Sequence, residues 1–211
     1  VTIIQLISSE GYYGAESMLL ALACALRGLG CNSTIAVFTE PGSKQNELQA
    51  RAMGLDLTVE TVPCRGRWDR KAVRRIRELV NKHDADVLHT HGYKADVYGY
   101  AAARRSPAAL VATCHNWPSR LLSMRIYAAI DRLVLRHFDR VATASGPVVE
   151  ILGRWRVPAH KLKTIPNGVD IEPSHEATPA MRKEFGGAKV VGFAGRLVEE
   201  KGGVVLLSAA P

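Results

Sequence analysis

The chain has 211 residues, 47% of them hydrophobic and 23% charged, which is enough apolar material for a sizeable core and too much for a disordered segment. No apolar run approaches the ~18 residues that a membrane span requires, and the opening "VTIIQLI" is too short, and lacks the basic flank, for a signal peptide. The net charge of +8 points to an anionic partner or surface without choosing among nucleic acid, phospholipid and a phosphorylated small molecule.

Cys24, Cys31, Cys64 and Cys114 show neither a CxxC nor another metal-ligand spacing. Their apolar or mixed surroundings predict reduced, buried thiols and a cytoplasmic protein. The first residue is Val rather than Met, as expected of a chain trimmed at its start.

In chain order, short apolar strands alternate with amphipathic helices. "TIIQLIS" reads as a strand and 15–29 as a helix, with Met18, Leu19, Leu22, Leu26 and Leu29 at helical spacing. "STIAVFT", a helix over 44–53 and "DLTVETV" follow; then a helix over 69–82 buries Ala72, Val73, Ile76, Leu79 and Val80. "ADVLHTH" is the next strand, 95–104 a helix and "ALVATCH" another strand. A long helix over 119–137 carries Leu122, Ile126, Ala129, Leu133 and His137 along its predicted inner side, and "RVATAS" and "LKTIPNG" complete the series.

This alternation predicts βαβ units and an α/β fold, a Rossmann-like, doubly wound parallel sheet. Ligands of such sheets lie beyond the carboxyl ends of the strands, which directs attention to Gly11–Glu16, His89–Lys94, His115–Trp117 and Ser145. Of the two histidines in "HTH", His91 is expected near ligand or as a cap, and His89 is expected to point the opposite way and be buried.

Turn signals at Pro166-Asn167-Gly168, Pro173 and Pro179 then interrupt the pattern. After them "AKVVGFAG" reads as a strand and "KGGVVLLSAA" as a helix, one βα unit that cannot cover its own apolar faces. It is expected to open a second α/β domain, so that 1–166 form one domain and 167–211 a hinge and the incomplete start of another; an added strand and helix of the first sheet is the alternative.

In "GFAGRLVEEKGG", Arg196 and Lys201 flank this strand-to-helix turn. Two cations converging on the free N–H groups of a helix start would make a diphosphate site; a solvated loop is the alternative. Ser145 has no GxSxG frame, there is no GxxxxGK[ST] loop and "GYYGAE" lacks the GxGxxG spacing, which argues against a serine hydrolase, a nucleotide triphosphatase and a dinucleotide enzyme. Aromatic residues make up only 6% of the chain and no recognition motif is present, so no nucleic-acid partner is expected. Basic residues cluster on helix 69–82, and Arg125, Arg132 and Arg136 form a stripe on helix 119–137. Either face fits an anionic membrane surface or plain solvation.

"GFAGRLVEEKGG", together with "GYYGAESMLLALACALRGLG", "DVLHTHGYKA", "ATCHNW", "FDRVATAS" and "IPNGVD" in that order, resembles family 4 of the retaining glycosyltransferases, enzymes of the GT-B fold. The resemblance implies transfer of a sugar from a nucleoside diphosphate donor to a glycan or lipid-linked acceptor, with the first domain largely forming the acceptor side and the second binding the nucleotide. It implies no metal ion or other cofactor. Arg196 and Lys201 match the diphosphate-binding pair, Gly14 the loop glycine beside the donor phosphates, His115 the histidine at the sugar or reacting centre, and Ser145 a position near the sugar.

His91, Asn116 and Asn167 fall at substrate-side positions, Asn167 also in the hinge turn. Tyr13 stands where the family often has a further glycine, which bears on the tightness of that loop. The paired glutamates of the family would lie beyond Pro211, so this chain alone is expected to transfer no sugar. A cytoplasmic, peripheral position on the inner face of the membrane follows from a lipid-linked acceptor. The rivals are a non-catalytic basic module binding membrane or glycan, and a nucleotide-sugar epimerase of the same fold.

Overall fold

The computed structural model describes residues 1–9, 11–66, 68–114, 122–168, 186, 190–195 and 199–209, with the side chains of 122–128 and 200 excepted. It divides into two units, Val1–Val169 and Asp170–Pro211, each taken by itself.

The first unit alternates strand and helix as its hydrophobic pattern dictates. The strands are β1 (Thr2–Ser8), β2 (Asn32–Thr39), β3 (Thr58–Pro63), β4 (Val87–His91), β5 (Ala109–Cys114), β6 (Arg140–Thr143) and β7 (Leu162–Thr164). Between them lie α1 (Gly14–Gly28), α2 (Glu47–Gly54), α3 (Arg70–Lys82), α4 (Tyr93–Ala103), α5 (Leu122–Leu135) and α6 (Gly146–Arg154). All neighbouring strands pair in parallel, in the order β3-β2-β1-β4-β5-β6-β7. The sheet is therefore doubly wound, and its order reverses between β1 and β4.

Strand alternation sends residues to two cores. Ile4, Leu6, Leu88, Leu110 and Ala112 join Ile76 and Leu79 of α3, Ala95 and Tyr98 of α4, and Leu152 of α6 on one face. On the other, Ile7, Ile35 and Val37 meet Leu19, Leu20 and Ala23 of α1 and Leu48 and Ala52 of α2. Gly99 shows how closely the layers approach: a Cβ there would lie 2.6 Å from Thr90 Cγ2, so only a glycine lets α4 rest on β4.

Helix α3 buries the expected face, with Ala72, Ile76, Leu79 and Val80 inside and Val73 packed beside them. Helix α5 does not. Leu133 is 46% exposed, whereas Asp131, Leu135 and, just past the helix end, Phe138 are buried. Apolar residues surround this helix on nearly every side, so periodicity gave no unique inner face, and a buried aspartate is not a feature that a hydrophobic pattern reveals. The expected cationic stripe is also altered. The Arg132 guanidinium lies 4.8 Å over the Trp155 ring, and Arg136 Nε donates to the Trp155 carbonyl at 2.7 Å, so both tie α5 to the end of α6. The Arg125 side chain lies outside the described set.

All four cysteines are free; Cys64 and Cys114 are buried as expected, but Cys24, packed at the edge of the α1 core, and Cys31, in the loop after α1, are partly exposed. In the second unit, residues 190–195 form no strand, contrary to expectation, and Val190, Val191 and Phe193 are exposed. Among the described residues no strand pairs with this segment, so it has no ladder to join. Helix α7 (Gly203–Ala209) does form, with Val204, Val205 and Leu207 more than two-thirds exposed at 69%, 71% and 76%.

Candidate functional site

In the first unit the carboxyl ends of the parallel strands define one rim, reached by Ser8 of β1, His91 of β4, Cys114 of β5 and Thr143 of β6. The loop after β1 leads to Gly14, the first residue of α1. Tyr13 caps this helix in an extended conformation, and its N–H donates to Glu16 Oε2 at 3.0 Å. Gly14 is exposed, and a Cβ built on it would meet nothing within 4 Å. Its lack of a side chain is therefore not demanded by packing. Gly11 is different: a Cβ there would strike the Tyr13 ring at 2.8 Å, so Tyr13 folds back over the loop.

Beyond β4, Gly92 adopts φ +87°, and this left-handed turn swings the chain from strand into α4. His91 is 3% exposed, and its Nε2 lies 2.8 Å from Gln5 Oε1 on β1. His89 Nε2 lies 2.8 Å from Thr113 Oγ1 on β5. The two imidazoles stand 4.3 Å apart, centroid to centroid, on the same face. This corrects the expectation for His89: residues two apart in a strand share a face, so His89 lies partly buried beside His91, and Thr90 points the other way. The result is a polar row, Gln5–His91 and His89–Thr113, crossing three strands at the switch point; sequence reading picked out His91 but not Gln5 or Thr113.

Ser145 sits at the N-cap of α6, exposed, at φ −154°, and makes no side-chain bond to the helix start. Its hydroxyl is thus not engaged in capping. Asn167 and Gly168 are exposed and come just before the division between the units. His115, Asn116 and Arg196 lie outside the described residues.

Within the second unit, Lys201 is exposed and closes a short 3-10 turn, Glu199–Lys201. A Cβ on Gly195 would lie 3.9 Å from Lys201 Cγ, which sets the Lys201 stem against the residue that precedes Arg196 in the chain. Gly202 then turns with φ +72° into α7.

The basic surface is narrower than charge counting implied. Arg75 and Lys82 bond Glu60 at 3.0 and 2.6 Å, Arg74 bonds Glu78 at 2.9 Å, and Arg77 donates to the Ala101 and Ala102 carbonyls. Lys82, burial against it, His83 and Arg75 together leave the Glu60 carboxyl below its ordinary range. Arg65, Arg70 and Lys71 make no ion pair among the described residues, and Trp68, between them, is 68% exposed. This patch follows the carboxyl end of β3, so it shares the rim of the sheet with the strand tips. Asp69 organises it: Oδ1 accepts from the Lys71 and Ala72 N–H groups at 2.8 and 3.4 Å, Oδ2 from Arg65 N–H at 2.8 Å, and the Asp69 N–H donates to Tyr98 Oη at 2.8 Å.

Known proteins agree with this architecture. A family model, Glycosyltransferase Family 4, matches residues 12–173. The phosphatidyl-myo-inositol mannosyltransferase of Mycolicibacterium smegmatis is 26% identical over 202 residues, covering 94% of this chain and 51% of that protein. Among solved structures, a glycosyltransferase from Rickettsia africae superposes with a TM-score of 0.75 at 19% identity, over 99% of this chain and 56% of the other. HepE of Anabaena, solved in complex with UDP and glucose, gives 0.69 at 19% identity over 87% and 50%. The chain spans about half the length of the curated relatives it matches. With its parallel sheet, its strand-tip rim and a family match across most of the first unit, the chain belongs to glycosyltransferase family 4.

Proposed function

We propose that the protein to which this chain belongs transfers a sugar, with retention of anomeric configuration, from a nucleoside diphosphate donor to a lipid-linked acceptor held at an anionic membrane surface. The observation that carries the lipid side of this reading is the exposed Trp68 set among Arg65, Arg70 and Lys71 on the rim of the strand tips. Arg70 and Lys71 stand in the first turn of α3 beside its N-cap, Asp69, whose carboxylate accepts from the Lys71 and Ala72 N–H groups. Asp69 meets the helix start, while Arg65, Arg70 and Lys71 make no ion pair among the described residues and leave net positive charge for an outside anion. Each cation near an anionic bilayer contributes about 1 kcal/mol, and an indole rests at the headgroup level. The relative from M. smegmatis, named for a phosphatidyl-inositol acceptor, supports the same direction.

On the donor side, Arg196 and Lys201 are assigned to the diphosphate, where fixed positive charge offsets the charge growing on the leaving group without help from a metal ion. His115 and Asn116 are assigned to the sugar, Gly14 and Ser145 to the donor, and His91 and Asn167 to the acceptor side and the hinge. For Gly14 the support is a position open to close approach; for Ser145, a hydroxyl not engaged in capping.

Two experiments test this reading. Flotation with phosphatidylinositol vesicles and with neutral phosphatidylcholine vesicles should recover the 211-residue chain on the anionic lipid only, and Trp68→Ala with Arg70→Ala should reduce recovery several-fold. Equal recovery on both lipids contradicts the membrane assignment. In the complete protein, Arg196→Ala and Lys201→Ala should each weaken donor use by about 10- to 100-fold, the range for losing a charge-assisted hydrogen bond; unchanged turnover in both rejects the assignment of that pair.

A further inference from the structure

Loop 40–46, which follows β2, and the edge strand β3 enclose a cavity of about 410 Å³ on the α2 face of the sheet, at the carboxyl-end rim. The residues assigned above to donor and acceptor do not line it. The loop is firmly held. Ser43 N–H and Oγ both donate to the Glu40 carbonyl, at 3.0 and 2.7 Å, and Gly42 turns with φ +83°. At the other end Asn46 and Gln49 exchange hydrogen bonds at 2.9 and 3.0 Å across the start of α2, and Asn46 Nδ2 donates to the Ser9 carbonyl just after β1 at 3.4 Å. A cavity shaped in this way needs little ordering when it binds.

Three side chains of the loop bring polar groups to the cavity without strong partners. Glu40 and Lys44 are exposed, opposite in charge, and make no ion pair among the described residues. Gln45 Nε2 donates at 2.8 Å to Met53 Sδ, and a thioether is a weak acceptor that a ligand oxygen would better. Met53, Val59 and Pro63 add apolar surface to the same lining.

This mixture selects a ligand class. Glu40 and Lys44 cancel, so the lining carries no net charge, and Glu40 opposes a phosphate. An acyl chain would cover Glu40, Lys44 and Gln45 with nothing to bond them, which is costly. A sugar satisfies each group: its hydroxyls donate to the carboxylate and accept from the ammonium and the amide, while its C–H faces pack on Met53 and Pro63. The volume also falls within the range of small-ligand sites, about 300–1,000 Å³.

We infer that this cavity is a subsite for a neutral glycan, one or two sugars long, carried by the acceptor away from its reacting hydroxyl. Pro63 lines the cavity and Arg65 of the cationic patch follows two residues later, so the sugars of one acceptor lie in the cavity while its anionic group meets the patch. The role toward the acceptor rests on the transferase reading; the binding of sugar does not.

The test follows amide shifts of the 211-residue chain while mannobiose, maltose and lactose are each added to ~50 mM, which reaches millimolar dissociation constants. At least one should give saturable shifts centred on residues 39–45, 53 and 59–63. Glu40→Gln and Lys44→Ala should each weaken that sugar about 10-fold, as for loss of a hydrogen bond to a charged group. No saturable shift from any of the three overturns the inference, as do shifts confined to other residues or affinities unchanged in the variants. Should a variant fail to fold, the shift map of the wild type decides. Sugar bound here by a complete protein that transfers none would remove the transferase reading and keep the site; transfer without binding here would do the reverse.

Discussion

Shortening Leu135 to alanine should damage the first unit far more than the same change at Leu133, two residues earlier on the same helix. Leu135 is fully buried, at 0% exposure, against a core that includes Phe138, Val141 and Leu152. Removing its three outer carbons forfeits about 2 to 2.5 kcal/mol of transfer free energy at about 0.8 kcal/mol per group. The cavity left in a packed core brings the total to about 3 kcal/mol. Leu133 is 46% exposed and has little core to lose, so Leu133→Ala should cost under about 1 kcal/mol. For a chain of this size, urea unfolding should separate the two variants clearly, and the melting temperatures should differ by roughly 4–10 °C. Equal destabilisation, or a larger effect at Leu133, would refute the assigned rotation of α5 and with it the inward position of Asp131.

Two further outcomes follow from the region around the basic patch. Tyr98→Phe removes the hydroxyl that accepts the Asp69 N–H at 2.8 Å and lies 3.5 Å from the Cys64 thiol, and should cost about 1–2 kcal/mol in chemical denaturation. It should also raise amide exchange at residues 65–71, because Asp69 no longer has its anchor on α4. Glu60→Gln should cost about 1 kcal/mol near neutral pH, a modest figure because Lys82 and Arg75 remain substantially exposed. Lys82 foremost holds the Glu60 carboxyl below its ordinary 4.5. The stability it contributes is therefore present above that value and lost as pH falls through the lower folded value. Acid titration of unfolding should show a shallower loss in Glu60→Gln than in the wild type.

Strand and helix order was legible because each strand is a short apolar run and each early helix keeps one apolar face. The α3 face, for instance, stands out against its arginines. The doubly wound, parallel arrangement followed from that alternation alone. What sequence could not supply was rotation and pairing. In α5 apolar residues lie all round, so the inner face is decided by the fit of Leu135 and Phe138 in the core, which carries Asp131 inward with them. In β4 the error was one of period: His89 and His91 stand side by side, and the partners Gln5 and Thr113 come from strands 86 and 24 residues away. The unpaired segment 190–195 reads as a strand locally, yet strand formation depends on a neighbour. The narrowing of the basic surface to Arg65, Trp68, Arg70 and Lys71 likewise needed the carboxylate and carbonyl partners of the other cations.

The most direct measurement is sugar transfer by the complete protein. A panel of radiolabelled nucleoside diphosphate sugars would be supplied with phosphatidylinositol-containing membranes, and the product recovered in the organic phase. The account predicts label on lipid from one donor class, the donor's anomeric configuration in the product, and loss of that label in Lys201→Ala. Label confined to free sugar or an epimerised nucleotide sugar, or no consumption of any donor by the folded protein, would contradict it.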